Sequence, residues 1–223
     1  MKTILKHIVS RTYRPLLVKY LSRTRIYRYG QLRLEIPPEV FHPGFFFSTQ
    51  LLLQYISNLD VKGKNALELG AGSGLISMEM ANNGASVTAS DINPVAVEYL
   101  HKNSEQTKTA IRIIQSDLFE NIAEQKFDII AINPPYYKKQ PQSPLDHAWY
   151  CGENGEYFTR LFQQLPAYMH AQSEVLMILC DACDMDMIRN AAASNGLELK
   201  LLLTKENLLE KNFIYQIKEG NEK

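Results

Sequence analysis

From residue 66 to the C-terminus the sequence alternates short apolar runs with longer amphipathic stretches, and this constrains the fold more than any other feature. The runs at 66–69, 86–90, 111–115, 127–132 and 175–179 are too short for helices and suit buried strands. Helical spacing fills the stretches from a glycine loop to about 82, over 94–105, over about 153–169, and from beyond 179 to about 195. Alternation of this kind predicts a mostly parallel sheet with helices on both faces. The last two runs, 197–204 and 212–217, leave no room for a helix between them and are expected to pair antiparallel. The fold class is therefore α/β, with seven strands and an antiparallel C-terminal strand. Upstream, residues 25–36 alternate about Gly30 and stop at Pro37-Pro38, the pattern of a small hairpin. An aromatic-rich loop from Phe41 to Ser48 then leads into a helix predicted over about 49–58; a loop this apolar is either buried or lines a pocket.

Charge divides the chain. The 24 Lys and Arg balance 24 Asp and Glu, yet residues 1–34 carry nine bases and no acid, so the remainder holds 15 bases against 24 acids. Ile4, Leu5, Ile8, Val9, Tyr13, Leu16, Leu17, Tyr20 and Leu21 form an apolar stripe in this arm, interrupted at Pro15, with the bases on the other faces. Such a stripe buries itself on the body, presents its basic face to nucleic acid or the ribosome, rests on a membrane surface, or belongs to a cleaved targeting segment. A hydrophobic fraction of 45% with 22% charged residues excludes a disordered or fibrous chain. No apolar run approaches the ~18 residues of a membrane span. Three cysteines make no disulfide framework, which suits a reducing, cytoplasmic setting.

Four strand ends carry chemistry. The first core strand runs into Glu68-Leu69-Gly70-Ala71-Gly72-Ser73-Gly74, where glycines allow close backbone approach to a ligand at the carboxyl edge of the sheet. The spacing is G-x-G-x-G, with Leu75 where a dinucleotide fingerprint needs its last glycine, and Glu68 is a poor neighbour for pyrophosphate but suits an ammonium group. Asp91 ends the next strand, where a carboxylate can accept both hydroxyls of a ribose. Asp117 ends the third and could accept from an adenine amino group while Leu118 packs the ring; alone it reads as a solvated or helix-capping Asp. Together these describe a site for an adenosine without phosphates. Asn133-Pro134-Pro135-Tyr136 follows the fourth strand. Its prolines fix a turn and free the Pro134 carbonyl, which with the Asn133 oxygen offers two acceptors for the two hydrogens of an –NH2 group. Tyr136 adds a flat face.

In this order these motifs resemble the class I S-adenosylmethionine-dependent methyltransferases of the amino-group branch, which share a Rossmann-like fold. Two further stretches are similar to the HemK-like protein-glutamine methyltransferases: Tyr29-Gly30-Gln31-Leu32 through Val40-Phe41-His42-Pro43, and His147-Ala148-Trp149-Tyr150-Cys151-Gly152-Glu153-Asn154-Gly155. The resemblance covers 25–223 and implies a catalytic domain there, in which a hairpin and loop at 25–48 precede a core at 49–223; the basic arm at 1–24 lies outside it. It implies S-adenosylmethionine as cofactor and S-adenosylhomocysteine as product, with Gly70, Ala71, Gly72 and Gly74 at the methionine end. Glu68 stands near the cofactor's amino group, Asp91 and Ile92 at the ribose, Asp117 and Leu118 at the adenine, and Thr49 and Asn133 beside the cofactor. Asn133, Pro134, Pro135 and Tyr136 are the implied catalytic residues, with Phe45 and Phe47 joining Asn133, Pro134 and Tyr136 at the acceptor.

Two departures are plain. The chain has only the basic arm where bacterial release-factor enzymes have a helical N-terminal domain, and their Pro-Arg-Pro-acid-Thr-Glu segment lacks its Arg and both acids here. Residues 40–53 also resemble the corresponding segment of small rRNA guanine-amine methyltransferases.

The implied acceptor is a protein glutamine amide, in a release factor or ribosome-associated protein; the alternative is an exocyclic base amine in rRNA, tRNA or DNA. Methyl transfer from a sulfonium needs positioning and charge stabilisation rather than a strong base, so His42 and His147, the histidines nearest the motifs, need no catalytic role. A nicotinamide dehydrogenase is disfavoured by the glycine spacing, and a non-catalytic scaffold by the competent residue at each motif position. Cys180-Asp181-Ala182-Cys183 has no second pair to complete a metal site and reads as structural, as Trp149 reads as a packed aromatic.

Overall fold

The computed structural model describes residues 19–208 and 210–220. Most of the basic arm therefore lies outside the described residues. The hairpin forms as expected from β1 (Arg25–Tyr29) and β2 (Leu32–Ile36), paired antiparallel. The chain continues through α1 (Phe47–Ile56), β3 (Asn65–Leu69), α2 (Leu75–Asn82), β4 (Ser86–Asp91), α3 (Pro94–Thr107), β5 (Arg112–Gln115) and β6 (Ile129–Ile132). It ends with α4 (Glu156–Gln164), β7 (Glu174–Cys180), α5 (Met185–Ala193), β8 (Leu197–Glu206) and β9 (Lys211–Glu219). Strands β3 to β9 make one seven-stranded sheet in the order β5-β4-β3-β6-β7-β9-β8, parallel except for β9, which runs antiparallel to both its neighbours.

Side-chain alternation along each strand divides the core between the two faces. Leu67, Ile130, Met177 and Ile217 face α4 and α5, while Ala66, Ala131, Ile178 and Ile214 face α1 and α2. Leu32, Leu34 and Ile36 of the hairpin join the second cluster, so hairpin and sheet share a core. The helix expected over 153–169 is shorter than its apolar periodicity suggests. Gly155, at φ +77°, starts α4 late, and Pro166, which has no N–H to donate, turns residues Leu165–Tyr168 into a 3₁₀ turn. Helix α1 begins two residues ahead of its expected start. No helix among the described residues is long and apolar enough to cross a membrane.

Strand order reverses at β3, whose neighbours β4 and β6 are reached by crossovers on opposite sides. The carboxyl ends of β3 and β6 flank that switch point, where open α/β sheets leave a crevice.

Candidate active site

The crevice is a cavity of about 270 Å³, near the lower end of the roughly 300–1,000 Å³ of small-molecule pockets. Its floor is the loop after β3. The Gly70 and Ala71 N–H groups donate to the Ser90 carbonyl at 2.9 and 2.8 Å, and the Gly72 N–H donates to Asp91 Oδ2 at 2.8 Å. Gly70 has φ +76°, and a Cβ there would meet nothing within 4 Å, so this turn leaves space in the cleft that a side chain would fill. Gly74 serves otherwise. It does not line the cleft; at φ +82° it starts α2, and a Cβ would come 2.6 Å from Leu100 Cδ2 on α3. Its position is one of close packing between helices.

Both oxygens of Asp91 are held in place, since the Asn93 N–H donates to Oδ1 at 2.9 Å. Burial raises this carboxyl above the usual range against the opposing pull of the Asn93, Gly72 and Ile92 N–H groups. Glu68 points its Oε2 at α2, accepting from the Ser77 N–H at 2.7 Å and from the Ser77 hydroxyl. It thereby satisfies an otherwise unpaired donor in the first turn of the helix while lining the cleft. Burial pushes its carboxyl up to about 8; the Ser77 bonds oppose the shift and the Asp91 charge adds to it. His147 lines the cleft close to Asp91.

Asp117 and Leu118 line the far end with Ile92. Asp117 Oδ2 accepts from Arg160 Nη1 at 2.9 Å, and Arg160 Nη2 reaches Glu120 Oε1 at 2.8 Å. Arg160 also lines the cleft, yet a single Arg on a helix carries no signal in the sequence. Leu118 is buried at φ +50°, a left-handed conformation that costs a side-chain-bearing residue about 1–3 kcal/mol.

After β6, Asn133, Pro134, Pro135 and Tyr136 form the opposite wall. Asn133 Nδ2 donates to Thr49 Oγ1 at 3.1 Å, and Thr49 is buried in the first turn of α1. With its –NH2 committed to Thr49, the Asn133 amide keeps its oxygen as an acceptor. Burial, with smaller contributions from Cys180 and Tyr137, lifts the Tyr136 phenol far above its ordinary range, so it stays protonated. Its hydroxyl interacts with the Cys180 thiol, which the Cys183 thiol, 3.9 Å away, brings down to about 7 against burial. The cysteine pair, remote from the other motifs in sequence, thus stands behind the cleft wall. Among the described residues no group of three or more His, Cys, Asp or Glu is arranged to hold a metal.

The segment after Tyr136 folds back. The Tyr137 N–H donates to the Trp149 carbonyl and the Cys151 N–H to the Tyr137 carbonyl, each at 3.0 Å. This brings Trp149 to 5.1 Å from Phe41 and 5.2 Å from Phe46, ring to ring, with Phe41 and Trp149 on the cleft and Phe46 stacked behind at 3.9 Å. Trp149 is both packed and pocket-lining. Phe45 and Phe47, expected at the acceptor, do not line the cleft. A 3₁₀ turn over Pro43–Phe45, capped by the Gly44 N–H on His42 Nδ1 at 3.2 Å, turns Phe45 towards Tyr20, and Phe47 packs against the core.

The family model for the methyltransferase small domain matches residues 32–149. A protein of Methanocaldococcus jannaschii, provisionally named a protein N5-glutamine methyltransferase, is 38% identical over 144 residues, covering 62% of this chain and 71% of that protein. The ribosomal RNA small subunit methyltransferase C of Haemophilus influenzae is 33% identical over 129 residues, covering 51% of this chain and 38% of that enzyme. Among solved structures, a methyltransferase of Pyrococcus furiosus superposes with a TM-score of 0.65 at 19% identity, over 95% of this chain and 99% of that one.

Proposed function

Because the chain belongs to the methyltransferase small domain family, as a HemK-like class I S-adenosylmethionine-dependent methyltransferase, we propose that its acceptor is a planar amino nitrogen, the side-chain amide of a protein glutamine. The observation that carries this reading is the Thr49–Asn133 hydrogen bond, which fixes the Asn133 amide with its oxygen available beside the Pro134 carbonyl.

The cleft suits S-adenosylmethionine. Three acidic side chains, Glu68, Asp91 and Asp117, line a cleft whose glycine loop lacks the phosphate-binding spacing, which favours a ligand with a cationic sulfonium and an ammonium group. The open turn at Gly70 makes room for it. Glu68 with Gly70, Ala71 and Gly72 would hold the methionine end, Asp91 and Ile92 the ribose, and Asp117 and Leu118 the adenine. When bound, this cofactor supplies an electrophilic methyl group. Asn133 Oδ1 and the Pro134 carbonyl accept the two hydrogens of the acceptor –NH2, which orients its lone pair into the cleft. They also stabilise the positive charge that grows on the nitrogen. Tyr136 lies against the amide plane, while Phe41 and Trp149 keep water out. The surplus proton leaves to solvent, since an alkylated amide nitrogen is strongly acidic and the protonated Tyr136 is no base. Residues 25–220 form one catalytic unit in this reading, because the hairpin shares the core of the sheet.

A second reading, an exocyclic base amine, is favoured by the aromatic wall of Phe41 and Trp149, which offers a flat face to a nucleobase. Incubating cell extract with methyl-labelled S-adenosylmethionine separates the two. Protease is expected to release the label and nuclease to leave it; release by nuclease instead establishes the base reading.

A further inference from the structure

The outer face of the hairpin holds an arrangement that the methyl-transfer site does not use. Arg28 lies directly opposite Arg33 across β1 and β2, and like charges so placed destabilise a pair by roughly 0.2–1 kcal/mol. No carboxylate relieves Arg28 among the described residues. The one acid on that face, Glu35, is taken by Lys102 at 2.6 Å and stands 4.0 Å from Arg33. The backbone beneath these side chains is fixed. Leu32, Leu34 and Ile36 are buried beneath it, and Asn103 clamps the Glu35 backbone with bonds of 2.8 and 3.0 Å. The opposite face, where Arg25 pairs with Ile36 and Tyr27 with Leu34, is already covered: Arg25 lies over the Tyr20 ring at 3.8 Å, and Tyr20 meets Phe45 edge-on at 5.6 Å.

We infer that the outer face of the β1–β2 hairpin is a docking surface for RNA, with Arg28 and Arg33 on successive phosphates. Charge complementarity carries the assignment. Residues 1–34 hold nine bases and no acid, while the rest of the chain is acidic by nine charges and repels a polyanion. Two spaced cations on one face suit a strand of phosphates better than a single phosphate. The choice of RNA over DNA rests on the proposed reading of a glutamine acceptor in a translation component; the binding of a strand does not depend on methyl transfer.

Fluorescence anisotropy of the full chain with an oligouridylate of about 20 nucleotides tests this without any acceptor. Binding should weaken linearly in log–log coordinates with salt, and the Arg28→Gln, Arg33→Gln double variant should lower that slope by about 1.4, or 0.7 for each lost phosphate contact. S-adenosylmethionine affinity, read by calorimetry, should not move. An unchanged slope in the double variant overturns the surface. Equal binding of the matching oligothymidylate overturns the assignment to RNA, and binding to phosphatidylserine vesicles in place of RNA overturns both. A methyl-transfer assay that finds no glutamine acceptor, with RNA binding intact, counts against the reading of the acceptor alone.

Discussion

The Thr49 hydroxyl oxygen accepts from Asn133 Nδ2 at 3.1 Å, joining the first turn of α1 to the turn after β6 across 84 positions of chain. Under the proposed function this bond would make Thr49, expected to lie beside the cofactor, a positioning residue for the acceptor. Thr49→Val removes the hydroxyl at nearly constant volume, and turnover should fall roughly 10- to 100-fold as the Asn133 amide loses its orientation. Thr49→Ser should retain most of the activity. S-adenosylmethionine affinity should hold in both; a loss of affinity in Thr49→Val returns the residue to the cofactor side.

Glu68 links the cleft to pH. Its folded carboxyl stands at about 8 against an ordinary 4.5, so the folded protein binds more protons than the unfolded chain between those values. Stability of the ligand-free protein should therefore fall as pH rises from about 4.5 to 8 and level off above. Glu68→Gln should flatten that stretch of the profile in urea denaturation. The same carboxyl must ionise to meet a cationic ligand, so S-adenosylmethionine binding at pH 7 should release a proton in the wild type that Glu68→Gln does not release. Calorimetry in buffers of different ionisation enthalpy reads this directly.

Arg160 holds Asp117 at 2.9 Å from a half-exposed position, with 40% and 35% of the two side chains accessible. An exposed pair contributes about 1 kcal/mol or less, so Arg160→Met should weaken S-adenosylmethionine binding roughly two- to fivefold. Combined with Asp117→Asn it should add little, because the two substitutions remove one interaction. Additive losses would separate Arg160 from Asp117.

Gly74→Ala tests the division of labour in the glycine loop. With φ at +82° and a Cβ 2.6 Å from Leu100, the change should destabilise the fold by about 1–3 kcal/mol in chemical denaturation. Gly70→Ala meets open space and should instead impair S-adenosylmethionine binding more than its backbone strain lowers stability.

Local pattern carries much of this molecule. The strands and the motifs at Glu68–Gly72, Asp91, Asp117 and Asn133–Tyr136 are legible because each depends on residues adjacent in the chain, and the parallel sheet then brings their strand ends to one edge. Pairing between segments is not legible in this way. Arg160 meets Asp117 from 43 positions away, and Phe41 meets Trp149 only because two loops fold over the sheet. Glycine spacing cannot distinguish a residue that admits a ligand from one that admits Leu100, which is why Gly74 reads as a ligand contact in sequence and acts as a packing glycine. Aromatic richness in the loop before α1 announces a pocket wall or a core, but the His42-capped turn decides that Phe41 faces the cleft while Phe45 does not.

The central claim is that Asn133 holds the acceptor rather than the cofactor. The measurement that tests it most directly is Asn133→Ala, assayed for methyl transfer to cell extract and for S-adenosylmethionine binding on the same preparation. Transfer should be lost while the dissociation constant stays within about threefold of wild type, less than a single buried hydrogen bond contributes. Binding lost together with transfer would place Asn133 on the cofactor and contradict the account.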